Sequence, residues 1–166
     1  MQTIFFSSEY MVKPINSSDK KLILDVYTQC EDFLSLGPVP KASIHMVDAD
    51  IQHSIKEKGI YCGIWNTEDT MVGIIDFIPE TSKGNACLSL LMISEKYRGK
   101  GIGVLVTSLL ESYLKTNYRT EVIESGVQVN NIKGIQFWKN RGYNIGENAR
   151  DMGDGTIAYA MRKELV

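Results

Sequence analysis

A short glycine-rich turn joins an apolar strand to an amphipathic helix in the middle of the chain. It reads Tyr97-Arg98-Gly99-Lys100-Gly101-Ile102-Gly103. The apolar run before it predicts a buried strand, and the apolar side chains after it recur at three- and four-residue intervals, which predicts a helix. Glycine permits tight turns and close approach to backbone amides, and a helix N-terminus attracts anions. Because Arg98 and Lys100 add positive charge, the junction predicts a site for a phosphate or pyrophosphate.

Two familiar phosphate-binding loops fit this turn poorly. A nucleoside-triphosphate loop places Lys and then Ser or Thr after its last glycine, whereas Val104 follows Gly103 here. A dinucleotide loop needs glycine at position 104 and an acidic residue at the end of the next strand, where Asn130 and Asn131 stand. A dinucleotide-dependent oxidoreductase therefore stays a distant alternative.

Periodicity elsewhere predicts a run of strands followed by alternating helices and strands. Strands are expected at residues 10–15, 60–65, 71–78, 88–94, 122–129, 143–147 and 156–161. Hairpins are expected to pair residues 60–65 with 71–78 and residues 143–147 with 156–161. A first helix is expected from Ser17 or Ser18 to Phe33, and its inner face should carry Leu22, Val26 and Cys30. Three more helices are expected: a second around Val47, Ile51 and Ile55, a third from Ile102 to Tyr113, and a fourth over residues 131–141. The strands at 88–94 and 122–129, joined through a helix, should be parallel. The predicted fold class is α/β, a mixed sheet with helices on both faces.

Gly37, Pro38 and Pro40 mark the one candidate break in the chain, within residues 34–43. This segment is too short to link two domains, and we expect it to cap or edge a site. Residues 1–166 are therefore expected to form a single domain.

Composition narrows the classes of partner and location. The net charge of −2 lacks the basic excess that phosphate-backbone binding requires, so nucleic acid is not expected as a partner. Cys30, Cys62 and Cys87 show no metal-ligand spacing, so no metal is expected. The N-terminus lacks a signal-peptide pattern and no apolar run could span a bilayer, so a cytoplasmic protein without a membrane partner is expected.

A second motif lies downstream, and the two together carry a resemblance. The turn contains Arg98-x-x-Gly101-x-Gly103, and the later block is Asn131-x5-Phe137-Trp138-Lys139-x-x-Gly142-Tyr143. In this order and separation they resemble the acyl-CoA pyrophosphate loop and the following helix of the GNAT superfamily, the GCN5-related N-acetyltransferases. With the order of elements, the resemblance covers about residues 10–165. It implies the GNAT acyl-CoA N-acyltransferase fold and an acetyl-CoA cosubstrate.

The resemblance also implies residues that bind the cosubstrate. The amides of Gly99, Lys100, Gly101, Ile102 and Gly103, with the side chains of Arg98 and Lys100, would hold the CoA pyrophosphate. The strand before the loop splays from its parallel neighbour in this family. Backbone groups near its end would pair with pantetheine and face the thioester oxygen, here those of Leu91, Met92 and Ile93. Asn131 matches an asparagine that contacts the cofactor arm, although it is equally suited to cap the helix that follows.

Trp138 departs from the family pattern, in which many members have a tyrosine thought to protonate the departing sulfur. An indole N–H donates hydrogen bonds but cannot deliver a proton in this way. Trp138 could be a wall beside pantetheine, with catalysis proceeding without an acid, or the protein could bind acyl-CoA without transferring it. A thiol pKa near ~8.5 favours the first alternative, since the thiolate is already a fair leaving group. Tyr97, Tyr143 and Tyr159 are alternative acids.

No acidic residue lies in the strand before the loop, where this family often carries its base. Asp76, in the otherwise apolar strand at 71–78, is the first candidate for the general base, and Glu124 is the second. Loss of the proton through water, with no single base, is a further alternative.

The expected activity is acetyl-CoA-dependent N-acetylation of a primary amine on a small molecule or peptide. The amine would attack the thioester directly in a ternary complex. The alternative is a non-catalytic acyl-CoA-binding sensor or regulatory module. The identity of the acceptor stays open, and the resemblance is compatible with a homodimer.

Overall fold

A computed structural model describes residues 2–166. These residues form eight strands and five α-helices. The strands are β1 (Phe5–Phe6), β2 (Tyr10–Pro14), β3 (Ile60–Asn66), β4 (Met71–Ser82), β5 (Asn85–Ile93), β6 (Val122–Gln128), β7 (Asn144–Asp151) and β8 (Ile157–Glu164). The helices are α1 (Lys20–Gln29), α2 (Glu31–Leu34), α3 (Ile44–Lys56), α4 (Ile102–Tyr118) and α5 (Ile132–Asn140).

The strands form one sheet in the order β1-β2-β3-β4-β5-β6-β8-β7. Strands β5 and β6 are parallel, as predicted, and every other neighbouring pair is antiparallel. The two expected hairpins, β3–β4 and β7–β8, are both present. The mixed α/β fold class predicted from the sequence is confirmed.

Helices cover both faces of this sheet and bury a separate apolar core on each side. Helix α4 and Trp138 of α5 pack on one face against residues such as Ile75 and Phe77. Helices α1 and α3 pack on the other face, where Tyr27 and Val47 meet Ile74. No helix within the described part of the chain is both long enough and apolar enough to cross a membrane.

The first helix differs from the prediction. Its first turn is capped by Asn16 rather than Ser17 or Ser18, and α1 ends at Gln29. Leu22, expected inside, is 40% exposed, while Ile23, Val26, Tyr27 and Cys30 are buried. Both sets repeat at helical spacing, so the pattern fixed the helix but not which of two adjacent stripes meets the sheet. Ile55, on the second predicted helix, is also exposed.

Candidate active site

A cleft opens where the two parallel strands separate. Strands β5 and β6 pair only between residues 85–87 and 122–124. Beyond that point the β4–β5 register shifts between Asp76 and Phe77, and β5 bends away from β6. The resulting cavity of about 750 Å³ is lined by residues 88–93 on one side and 125–128 on the other. The splay that the family resemblance implied is therefore confirmed.

The glycine-rich turn forms one end of this cavity. Gly99 and Gly101 have φ values of +75° and +78°, and a Cβ on either would meet nothing within 4 Å. These glycines are needed for their left-handed backbone, and the space in front of them is open. The first hydrogen bond of α4 runs from the Leu105 N–H to the Gly101 carbonyl at 3.0 Å. Within residues 2–166, the N–H groups of residues 99–104 have no protein acceptor, so they can receive an anion.

Gly103 serves a different purpose from its two neighbours. A Cβ there would lie 3.3 Å from the Phe137 ring. The third glycine of the motif therefore allows α4 and α5 to approach closely where both line the cavity.

The two cations of the turn have protein partners. The Arg98 guanidinium donates through Nε to the Ile93 carbonyl at 2.8 Å, and its other nitrogens bind both oxygens of Asp32 on α2. This contact lowers the pKa of Asp32. Lys100 Nζ lies 5.3 Å from the centroid of the Tyr97 ring and does not line the cavity. Arg98 lines the cavity, but an anion would have to compete with Asp32 for it.

The end of β5 presents its backbone to the cavity. Leu91, Met92 and Ile93 all line it. The Ile93 carbonyl already accepts from Arg98 Nε and from the Cys30 thiol at 3.4 Å. A ligand running along this strand would therefore depend on the other backbone groups of the stretch.

Three residues of the downstream motif, Asn131, Phe137 and Trp138, line the opposite wall. Asn131 caps α5, its Oδ1 accepting from the Gly134 N–H at 2.9 Å. Trp138 is 9% exposed and packs edge-on against Phe137 and Tyr143, with ring centroids 4.8 and 5.1 Å away. Of the alternative acids, Tyr97 lines the cavity, whereas Tyr143 and Tyr159 do not.

The structure brings neither candidate base into this cavity. Asp76 is 5% exposed, lies beneath α3, and accepts from Ser54 Oγ at 2.7 Å. Burial raises the pKa of its carboxyl, and the Ser54 hydrogen bond opposes the shift. Glu124 is exposed and lines a smaller cavity of about 500 Å³, opposite Arg162 on β8. Ser125 lines both cavities.

Sequence reasoning did not single out Leu36, Gln128 or Asn130, which close the cavity beside α2. The segment marked by Gly37, Pro38 and Pro40 edges a site, as expected. The Asn130 side-chain amide donates to the Leu36 carbonyl at 3.1 Å, and Phe33 and Leu36 line the cavity with Gln128. Their sequence signal was weak, because these residues lie about 90 positions apart and meet only in the folded chain. Among residues 2–166, no three His, Cys, Asp or Glu side chains are grouped to share a metal ion.

Known acetyltransferases resemble this chain in sequence and in fold. The family described as "Acetyltransferase (GNAT) family" matches residues 26–143. A Bacillus subtilis spermine/spermidine N(1)-acetyltransferase is 25% identical over 133 residues, which are 80% of this chain and 86% of that protein. The crystal structure of a Vibrio cholerae spermidine N-acetyltransferase with CoA and spermine superposes with a TM-score of 0.72, at 14% identity over 95% of this chain and 96% of that one.

A Salmonella typhimurium acetyltransferase that modifies the N-terminal serine of a 50S ribosomal subunit protein gives a TM-score of 0.78. It is 13% identical and covers 96% of this chain and 97% of its own. These structures show a shared fold, and the family match extends across the glycine-rich turn, the splayed strands and the downstream motif. The chain belongs to the acetyltransferase (GNAT) family, as its two motifs indicated.

Proposed function

We propose that this protein transfers the acetyl group of acetyl-CoA to a primary amine by direct attack in a ternary complex. The observation that carries the proposal is the cleft between β5 and β6, which ends in a turn with unpaired amides. A slot between splayed strands suits an extended pantetheine arm, and free amides suit a pyrophosphate. We further propose that residues 1–166 act as one acetyltransferase domain.

The pyrophosphate would lie against the amides of Gly99, Lys100, Gly101, Ile102 and Gly103. Arg98 and Lys100 would supply charge, with Arg98 exchanging part of its contact with Asp32 for phosphate oxygens. Because both interactions are charge-assisted, the exchange costs little.

The reacting thioester would lie along Leu91, Met92 and Ile93. An amide of this stretch would stabilise the oxyanion as the amine nitrogen bonds to the carbonyl carbon. The C–S bond then breaks and CoA departs as a thiolate, and the proton that the attacking nitrogen releases reaches the sulfur through water. Asn131 would hold the cofactor arm, and Trp138 would form an apolar wall beside it. This order needs no side-chain acid, which agrees with tryptophan at position 138.

The amine must lose a proton, since a group of pKa ~10.4 is only about 0.04% neutral at pH 7. Neither Asp76 nor Glu124 lines the cavity. We propose that water carries the proton and that Glu124, which lines the smaller cavity together with Ser125, is the carboxylate that receives it. Asp76, held by Ser54 beneath α3, is assigned a structural role.

The relatives suggest which acceptors to test first. Their names describe one acetyltransferase for spermine and spermidine and one for a protein N-terminal serine. Both acceptors present a primary amine, and we propose the same group here. The proposed location is the cytoplasm, where the three free thiols would stay reduced.

Acetyl-CoA binding, measured by calorimetry, tests the site. Gly101→Val should raise the Kd at least tenfold, since a side chain cannot easily adopt the left-handed backbone that aims the amides. Arg98→Glu should raise it similarly by placing a like charge beside phosphate. An acetyl-CoA Kd that stays unchanged in both variants would contradict the assignment.

Gly153→Val is the matched control. Gly153 also has positive φ, +86°, with open space around it, but it lies in the β7–β8 turn. The same backbone strain there should leave acetyl-CoA affinity unchanged. A thiol reagent that detects free CoA distinguishes transfer from binding alone, because CoA is released by transfer only when an amine is added.

A further inference from the structure

The lining of the cavity carries few charges, and one of them is negative. Asp32, Arg98 and Lys133 are its charged residues within the described part of the chain. With acetyl-CoA bound as proposed above, the phosphates supply counter-charge for the two cations. The Asp32 carboxylate is then the charge in the lining that attracts a cationic acceptor.

Arg98 occupies both oxygens of this carboxylate. Its two terminal nitrogens donate to Oδ2 and Oδ1 of Asp32, and its Nε donates to the Ile93 carbonyl at 2.8 Å. The ion pair joins the glycine-rich turn to α2 and is open to solvent, since 36% of the Arg98 side chain and 61% of the Asp32 side chain are exposed. A ligand in the cavity can therefore reach both partners.

Helix α2 has contacts that hold it in place without Arg98. The residue before Asp32, Glu31, accepts from Lys41 Nζ and from the Ala42 N–H, both at 3.1 Å. These contacts tie α2 to the loop that precedes α3. When a phosphate draws Arg98 away, as proposed above, the Asp32 carboxylate stays in the lining and is free to bind another cation.

A carboxylate at this position suits an ammonium group that does not react. An opposite charge close to an amine favours its charged form and raises its pKa. The nitrogen that attacks the thioester must be neutral, so contact with Asp32 would slow its attack. An acceptor with two amines avoids this conflict, because one ammonium binds Asp32 while the other amine loses its proton and attacks.

We infer that Asp32 is a specificity-determining residue that selects an acceptor with a second cationic nitrogen, a diamine or polyamine. The same carboxylate competes with the CoA pyrophosphate for Arg98. Asp32 therefore acts on the two substrates in opposite directions, weakening the binding of the cosubstrate and strengthening that of the acceptor. The inference rests on the proposed acetyl transfer and names its acceptor class.

The test compares linear diamines of three to six carbons with monoamines of the same length, so that each pair differs by one ammonium group. In the wild type, the best diamine should exceed its monoamine in kcat/KM by about tenfold or more, the effect of one charge-assisted hydrogen bond. Asp32→Asn should bring the diamine down to the monoamine value, and Asp32→Glu should keep the preference. By calorimetry, Asp32→Asn should also lower the Kd for CoA by about two- to fivefold, because a partly exposed ion pair no longer competes.

Asp25→Asn removes the same charge from an exposed position on α1 that does not line the cavity, and it should change neither constant. A purely structural role for Asp32 would weaken the binding of CoA and amines together, whereas the inference requires shifts of opposite sign. Equal kcat/KM values for every diamine and its monoamine, a preference that survives in Asp32→Asn, or a raised or unchanged Kd for CoA in that variant would overturn the inference alone. Wild-type protein that binds no CoA, or that acetylates none of these amines, would overturn the proposed function as well.

Discussion

Asp76 is a carboxyl group enclosed by other titratable groups. Helix α3 contributes Asp50, His53 and the hydrogen-bonding Ser54, and Tyr61 and Cys62 lie on the adjoining strand. Burial raises the pKa of Asp76 first, and the Asp50 charge adds to the shift. Between its unfolded and folded pKa values, the folded protein then binds more protons than the unfolded chain. The free energy of unfolding therefore falls as pH rises through that window.

Asp76→Asn should remove this penalty, because the amide oxygen still accepts from Ser54. The Tm difference between this variant and the wild type should grow by a few degrees between pH 4 and pH 8. A free-energy change of ~1 kcal/mol corresponds to about 2–4 °C in a protein of this size. A Tm difference that is the same at every pH would contradict the raised pKa of Asp76.

As a structural residue, Asp76 should also leave kcat within a fewfold of wild type in the Asp76→Asn variant. Glu124→Gln, the matched amide at the proposed proton acceptor, should lower kcat by about 10²-fold or more.

At Gly73, β4 leaves no room for a side chain against the backbone of β5. A Cβ there would lie 2.5 Å from the Met92 carbonyl oxygen, a backbone atom that cannot rotate away. Gly73→Ala should therefore force the strands apart and destabilise the fold by roughly 1–3 kcal/mol. Denaturant unfolding measures this change.

Gly126→Ala is the control within the same sheet. The nearest atom to a Cβ there, the Tyr159 carbonyl oxygen, is 3.7 Å away, an ordinary contact. Alanine should be neutral or stabilising by up to about 1 kcal/mol, because it restricts the unfolded chain. Equal destabilisation by both substitutions would show that the close approach at Gly73 is not the cause.

The whole molecule offers one tryptophan on each side of its sheet. Trp65 lies in the core beneath α1 and α3, and Trp138 lies in the core beneath α4. Because the two cores share the strands between them, we expect both to unfold in one cooperative transition. Trp65→Phe and Trp138→Phe each leave one fluorophore, and the denaturation curve of each variant by fluorescence should coincide with its own curve by circular dichroism. A fluorescence midpoint that departs from the circular dichroism midpoint in either variant would show that one core opens first.

Much of the architecture was predictable because local periodicity and burial agreed. The stripe from Ile102 to Tyr113 predicted α4, which extends to Tyr118, and alternation predicted both hairpins. The first helix was the exception, since two adjacent apolar stripes competed and contact with the sheet chose Ile23 over Leu22. Strand β1, only two residues long, carried too little pattern to be predicted.

The sequence alone determined the family, the fold class and the glycine-rich turn, because each depends on residues close together in the chain. Tertiary structure decided which side chains share the cavity. It paired Arg98 with Asp32, placed Asp76 beneath α3, and brought Gln128 against Gly37. Such contacts join segments tens of residues apart, and their geometry depends on how the helices pack on the sheet, which no local pattern specifies.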